Sequence, residues 1–101
     1  MVRFEWDEAK AASNLRKHGV RFDDAMLVFG DAFAVMEQDR VVGEEVRWQT
    51  LGWPGGNLLL LVAHTVRNEG ENEIIRIISA RKATRKERKR YDENRAKEFS
   101  N

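Results

Sequence analysis

One run in this sequence limits the possible folds more than any other: Leu58 to Val66, LLLLVAHTV, which is apolar on both faces until His64. Successive side chains of a β-strand point to opposite faces, so a strand without a polar face belongs inside a sheet that is covered on both sides. This predicts a central strand. Pro54-Gly55-Gly56-Asn57 before it is a strong turn signal, and Arg67 to Asn72, RNEGEN, predicts the next turn. Glu73 to Arg81 then reads as the last strand. Val46 to Trp53, VRWQTLGW, is rich in β-formers and reads as the strand before the central one. Strands joined by short turns pair antiparallel.

The flanks supply the covering layers. Val2 to Trp6 alternates as a first strand. Asp7 suits an N-cap, with Glu8 in the first turn. The first helix runs to about His18, with Gly19 beyond its C-terminus. Phe22-Asp23 opens a second helix, for which Asp23 is the candidate N-cap; Phe22 can staple against Leu27, and Gly30 ends it. Asp31 to Glu37 contains the apolar strand AFAVM. The acidic Gln38 to Glu45 reads as a turn or loop. Thr84 and Glu87 form a capping box that opens a C-terminal helix reaching about Phe99. The order β-α-α-β-β-β-β-α predicts an α+β fold, mainly an antiparallel sheet with helices packed on it. The first strand, which crosses over through two helices, pairs parallel to a central strand in this reading.

At 101 residues the chain reads as a single domain over 1–101, large enough to bury a core. It has no cysteine, which excludes a disulfide framework or a thiolate zinc site and fits a reducing cytosol. No apolar run approaches the roughly 20 residues that cross a bilayer, and the N-terminus VRFEWDEAK has no signal-peptide core. The expectation is a cytoplasmic protein without membrane attachment.

Formal net charge is only +1, but its distribution is uneven. Acidic residues dominate Glu37 to Glu45 and Glu69 to Glu73, whereas Lys and Arg dominate Arg81 to Arg90. Arg85, Lys86, Arg88, Lys89 and Arg90 crowd the start of the C-terminal helix, whose apolar residues are few: Tyr91, Ala96 and Phe99. Such a helix has a narrow docking stripe and a broad cationic surface, suited to a nucleic-acid backbone or an acidic protein as well as to plain solvation. In strict alternation Ile75, Ile77, Ser79 and Arg81 share one strand face, and Ile74, Arg76, Ile78 and Ala80 the other. Arg76 then interrupts an apolar face, and Arg81 emerges where the strand stops. A guanidinium held on a strand end is a pre-organised fork for phosphate oxygens. His64 is either a satisfied core residue or, near its strand end, a general acid or base. Lys10, Asn14, Lys17 and His18 lie on one side of the first helix, and Asn14 can make two-sided hydrogen bonds. No H-x-x-x-H or clustered-carboxylate pattern supports a metal, and no G-x-S-x-G or P-loop pattern appears.

Three motifs together resemble one family. They are W-D-E-x-K at Trp6 to Lys10, N-L-x-K-H-G-V-x-F at Asn14 to Phe22, and R-I-I-S-A-R-K-A-T-x-x-E-R at Arg76 to Arg88. The combination is similar to the BrnT toxins of bacterial type II toxin–antitoxin pairs, and the likeness runs from Phe4 to about Tyr91. The loop Arg67 to Asn72 is a departure, being somewhat long and acidic. The resemblance implies a RelE-like fold and a metal-independent ribonuclease that arrests translation. It also implies a BrnA-type antitoxin, with which the toxin represses its own promoter DNA, and no cofactor. Metal-free RNA cleavage needs cationic side chains to meet charge on the phosphorane. For that role the chain offers Arg81 as a phosphate clamp, Arg76 as a second cation and His64 as acid or base. Lys17, His18, Lys82, Arg85, Lys86, Arg88 and Lys89 are the candidate RNA- or partner-binding residues, with Tyr91 as a docking residue. The competing reading is a non-catalytic module that binds a protein or DNA through the basic helix.

Overall fold

The computed structural model describes residues 1–56 and 58–99, with Glu98 and Phe99 described in their backbone alone. In chain order the elements are β1 (Val2–Glu5), α1 (Glu8–His18), α2 (Phe22–Met26), a 3₁₀ turn (Leu27–Gly30), β2 (Val35–Val42), β3 (Glu45–Gly52), β4 (Leu60–Glu69), β5 (Asn72–Lys82) and α3 (Arg85–Phe99). The strands form one sheet in the order β1-β5-β4-β3-β2. Its β2-to-β5 part is an antiparallel meander, and β1 adds to β5 in parallel, so the sheet is mixed. The parallel pairing follows the expected crossover through the two helices. No described helix is long and apolar enough to cross a membrane.

Local chemistry explains most boundaries. The Asp7 carboxylate accepts from the Ala9 and Lys10 amides at 2.8 and 3.1 Å, capping α1, and Gly19 closes it at φ 69°, a conformation that costs glycine little. The capping box of α3 forms in both directions: the Glu87 amide donates to Thr84 Oγ1 at 3.1 Å, and the Thr84 amide donates to Glu87 Oε1 at 2.9 Å. Gly52 is needed for a different reason. A Cβ there would sit 2.6 Å from Val28 Cγ1, so its absence lets the 3₁₀ turn lie against β3.

Several local expectations are corrected. Helix α2 starts at Phe22 with Arg21 at its cap, so Asp23 lies inside the first turn, where it favours the helix dipole. The staple does not form: Phe22 packs edge-on against Trp6 at 6.0 Å, and Leu27 is exposed. Gln38 to Glu45 is no loop. β2 and β3 continue through it to a tight turn at residues 43–44, with a bulge at Asp39. RNEGEN likewise consists of strand ends around a two-residue turn at Gly70 and Glu71. Asn57 of the turn signal and the Phe99 side chain of the docking stripe lie outside the described residues.

Two cores lie on opposite sides of the sheet. On one side α1, α2 and the 3₁₀ turn cover Leu60, Val62, Ile77 and Ala80 together with Val20, Phe22, Ala25 and Val28. On the other, α3 covers the sheet at one end only, where Tyr91 packs on Leu51, Leu59 and Leu61.

Candidate functional site

A single irregularity in β5 decides the layout of the basic residues. Ala63 stands opposite Ser79 and His64 opposite Ile77, which leaves Ile78 as an extra residue in a β-bulge. The bulge reverses the alternation beyond it. Ile77 and Ala80, assigned to opposite faces by strict alternation, both join the core beneath α1 and α2. Arg76 and Arg81 pair with Thr65 and Leu61, which lie on one face of the regular strand β4, so the two arginines share the face on which α3 packs.

Beyond α3 this face is open and rich in arginine. Register places Arg47 and Gln49 of β3, Thr65 and Arg67 of β4, Arg76 and Arg81 of β5 and Glu5 of β1 on it. Each of these arginines has a carboxylate neighbour. Glu87 grips Arg81 in a two-point contact at 2.8 and 3.0 Å; Arg81 also donates to the Lys82 carbonyl at 3.2 Å. The Arg81 hydrogen bonds, helped by the Thr84 amide and hydroxyl, bring Glu87 down to about 2 against an opposing effect of burial, and Glu87 in turn raises Arg81. Glu5 is shared by Arg67 and by Arg76, the latter at 3.4 Å, and hydrogen bonding from Arg67 lowers its carboxyl. Arg90 of α3 reaches Glu37 at 3.1 Å, and Arg47 approaches Glu45 at 3.5 Å. The Nε atoms of Arg47 and Arg90 are buried without a hydrogen-bond partner. These ion pairs fix the guanidinium forks in place and temper their charge, while leaving unused N–H donors on several of them.

Helix α3 adds the outward charge. Lys82, Arg85, Lys86, Arg88 and Lys89 are exposed. Arg88 stacks over the Trp53 ring at 5.3 Å, whereas among the described residues no ion pair forms at Lys82, Arg85, Lys86 or Lys89. The helix is held mainly by polar clamps. Its chief apolar anchor is Tyr91, which is 2% exposed and donates its hydroxyl to Asp31 Oδ2 at 2.6 Å. Burial and the Asp31 contact raise Tyr91 to about 12. Asp31 also accepts from the Phe33 and Trp53 amides at 2.9 and 2.8 Å, tying α3 to the ends of the 3₁₀ turn and β3. Burial works against ionisation of Asp31, but these donors outweigh it and hold the carboxyl below its ordinary value.

The candidates therefore separate. Arg76, Arg81 and the cations of α3 belong to one side of the molecule, whereas Lys82, opposite Leu60, ends β5 on the other face. Tyr91 fits docking, since its burial and its bond to Asp31 leave it no surface for RNA. Lys17 and His18 end α1, in the layer on the opposite side of the sheet. His64 also faces that side. It is fully buried, its Nε2 lies 2.7 Å from Thr50 Oγ1, and Phe29 meets its ring edge-on at 4.8 Å. Burial pushes its pKa down to about 4, only partly offset by the Thr65 backbone. The sheet thus stands between His64 and the two arginines, and the ring lies in the core with Nε2 bonded and Nδ1 buried without a partner, so it is a core residue only partly satisfied. Sequence reasoning missed Glu5, Asp31, Arg47 and Arg67 and saw Glu87 only as a cap. Period-two phasing could have placed Glu5 and Arg47 on faces, but their partners come from distant strands.

Comparison with known proteins agrees with the motif resemblance. The family described as "Ribonuclease toxin, BrnT, of type II toxin-antitoxin system" matches residues 6–87. The 1.1 Å crystal structure of the Brucella abortus ribonuclease toxin BrnT superposes with a TM-score of 0.58 at 22% identity, over 84% of this chain and 100% of that one. At that identity the likeness speaks for the fold. No curated protein matches the chain.

Proposed function

Because this chain belongs to the BrnT family of ribonuclease toxins from type II toxin–antitoxin systems, we propose that it cleaves RNA on the open, arginine-rich face of its sheet. In this reading it is a RelE-like, metal-independent endoribonuclease of the cytoplasm that arrests translation. A BrnA-type antitoxin neutralises it and joins it in repressing the shared promoter. The observation that carries the site is the β5 bulge, which brings Arg76 and Arg81 onto one face.

The residues suit the electrostatic part of metal-free cleavage. Charge builds on the phosphorane oxygens as the 2′-oxygen attacks, and fixed cations stabilise it best when they need not reorganise. Arg81, locked by Glu87, is the phosphate clamp and Arg76 the second cation. Arg85, Lys86, Arg88 and Lys89 extend the contact along the RNA backbone. His64 is left to the core.

The test is growth arrest on expression, together with cleavage of RNA by purified protein in the presence of a chelator. Arg81→Ala should lower cleavage about 100-fold or more, the scale for loss of a transition-state donor; Arg76→Ala should follow with a smaller loss. Full toxicity in both folded variants would move the site elsewhere. Tight antitoxin binding by a wild-type protein that never cleaves RNA would favour the non-catalytic module.

A further inference from the structure

The face of the sheet beneath α1 and α2 is covered at one end only. Towards the β4–β5 turn it is bare, and an open groove of about 860 Å³ remains. Its surface is built from Phe4, Phe29, Met36, Trp48, Val66 and Ile75, with the buried His64 beneath them. Leu27, Val2 and Met36 on its walls are 52%, 51% and 47% exposed. A contiguous apolar trough of this kind on a small soluble domain marks a surface that another molecule covers. Glu73 is the one carboxylate among the groove residues. β3 begins at the end of the sheet where β4 finishes, so both hairpin turns lie beside the groove's open end. They carry Glu44 and Glu71, both exposed, while Glu45 and Glu69 turn to the arginine face, where they pair with Arg47 and Arg67. Glu73, with Glu44 and Glu71 at the neighbouring turns, thus makes the open end of this apolar groove acidic.

We infer that this groove is where the antitoxin docks, through an amphipathic segment with large apolar side chains on one face and Lys or Arg at the end that meets Glu73. The inference rests on membership of a toxin–antitoxin family, which supplies the need for a protein partner. Charge selects the chemistry of the segment. The acidic rim attracts a cationic end and repels the acidic segment that would fit α3. The same rim disfavours a second copy of this chain, because a two-fold contact through this face would set carboxylates against carboxylates. The groove and the arginine face lie on opposite sides of the sheet, so the toxin can be held by its antitoxin at a surface that does not touch RNA.

The experiment titrates the purified toxin with the purified antitoxin encoded beside it and measures RNA cleavage by the free toxin in parallel. Leu27→Glu and Met36→Glu replace exposed side chains and should leave folding and cleavage intact. Each should weaken antitoxin binding roughly tenfold or more, as expected for an apolar anchor lost from the centre of an interface. Glu73→Lys should weaken it as well, and charge reversal at Lys86, Arg88 and Lys89 should change it by less than about threefold. Wild-type affinity in folded Leu27→Glu and Met36→Glu proteins overturns the inference. So does loss of binding on reversing the α3 charges, or a wild-type homodimer that Leu27→Glu turns into a monomer. If the free wild-type toxin cleaves no RNA, the ribonuclease reading fails, while the affinities still decide the docking site.

Discussion

At the scale of single residues, Asn14 stands in for a strand that is missing. β1 pairs with β5 only as far as Glu5 opposite Arg76, so the later part of that β5 edge has no strand beside it. The Asn14 amide fills the gap at Ala80: its Oδ1 accepts from the Ala80 amide at 3.0 Å, and its Nδ2 donates to the Ala80 carbonyl at 2.8 Å and the Val20 carbonyl at 3.0 Å. Asn14 is itself buried, so water cannot replace it easily. Asn14→Ala leaves three backbone groups unpaired, and at about 1 kcal/mol or more for each the expected loss is about 3 kcal/mol. Asn14→Asp keeps the acceptor but turns an oxygen towards two carbonyls, so it should cost at least as much. Urea unfolding at constant m-value measures both. A loss below about 1 kcal/mol for Asn14→Ala would mean that the edge finds other partners. Arg81 directly follows Ala80, so cleavage should fall further than the lost stability explains. The two-sided bonding of Asn14 could be expected from an amide in a helix. Its partner could not, because residue 80 comes beside it only through the sheet.

At the scale of elements, the ends of the chain were more legible than its middle. α1 and α3 announce themselves by local chemistry, Asp7 and Gly19 for one and Thr84 with Glu87 for the other, and those contacts lie within a few residues of sequence. The outer end of the β2–β3 hairpin was hidden because residues 38–45 are all exposed, with charge on both sides of the turn, and a bulge at Asp39 breaks the alternation. The bulge at Ile78 was hidden too, since the phase of a strand is set by its neighbour, and this one puts Arg76 and Arg81 together. Glu87 joins the two kinds of information: as a cap it is local, and as the clamp on Arg81 it ties α3 to the sheet. Its carboxyl falls from an ordinary 4.5 in the unfolded chain to about 2 in the fold. A depressed folded pKa means that the unfolded state binds the proton first. The stabilisation is therefore complete above about pH 4.5 and is lost as pH falls towards about 2. Acid titration followed by Trp53 fluorescence, in a Trp6→Phe, Trp48→Phe background, should show α3 loosening in that window. Glu87→Gln, which keeps the capping geometry but not the charge, should loosen α3 at neutral pH and flatten this part of the curve. An unchanged curve for Glu87→Gln would place the acid sensitivity of α3 elsewhere, with Asp31 the next carboxylate to replace.

At the scale of the whole molecule, 18 Lys and Arg against 17 Asp and Glu give almost no net charge, so any preference for a polyanion must come from where the charges lie. The sheet sorts them. The cations of α3 and the arginines of the open face are on one side, while the apolar groove with its acidic rim opens on the other. Salt should act differently on the two surfaces. RNA binding releases counterions in proportion to the phosphates contacted, with a slope of about −0.7 in log K against log salt for each contact on a single strand. A 2′-O-methyl RNA oligonucleotide, which lacks the attacking hydroxyl, allows binding to be measured without cleavage. Charge reversal at Lys86, Arg88 and Lys89 should reduce the steepness of that slope by about 2 if each cation meets one phosphate. Antitoxin binding through an apolar groove should respond weakly to salt, and the small response that remains should shrink further in Glu73→Gln. A slope unchanged by the triple reversal would remove α3 from the RNA path and leave phosphate contact to the arginines of the sheet. A steep slope for the antitoxin would instead show that its affinity comes from charge rather than from the groove.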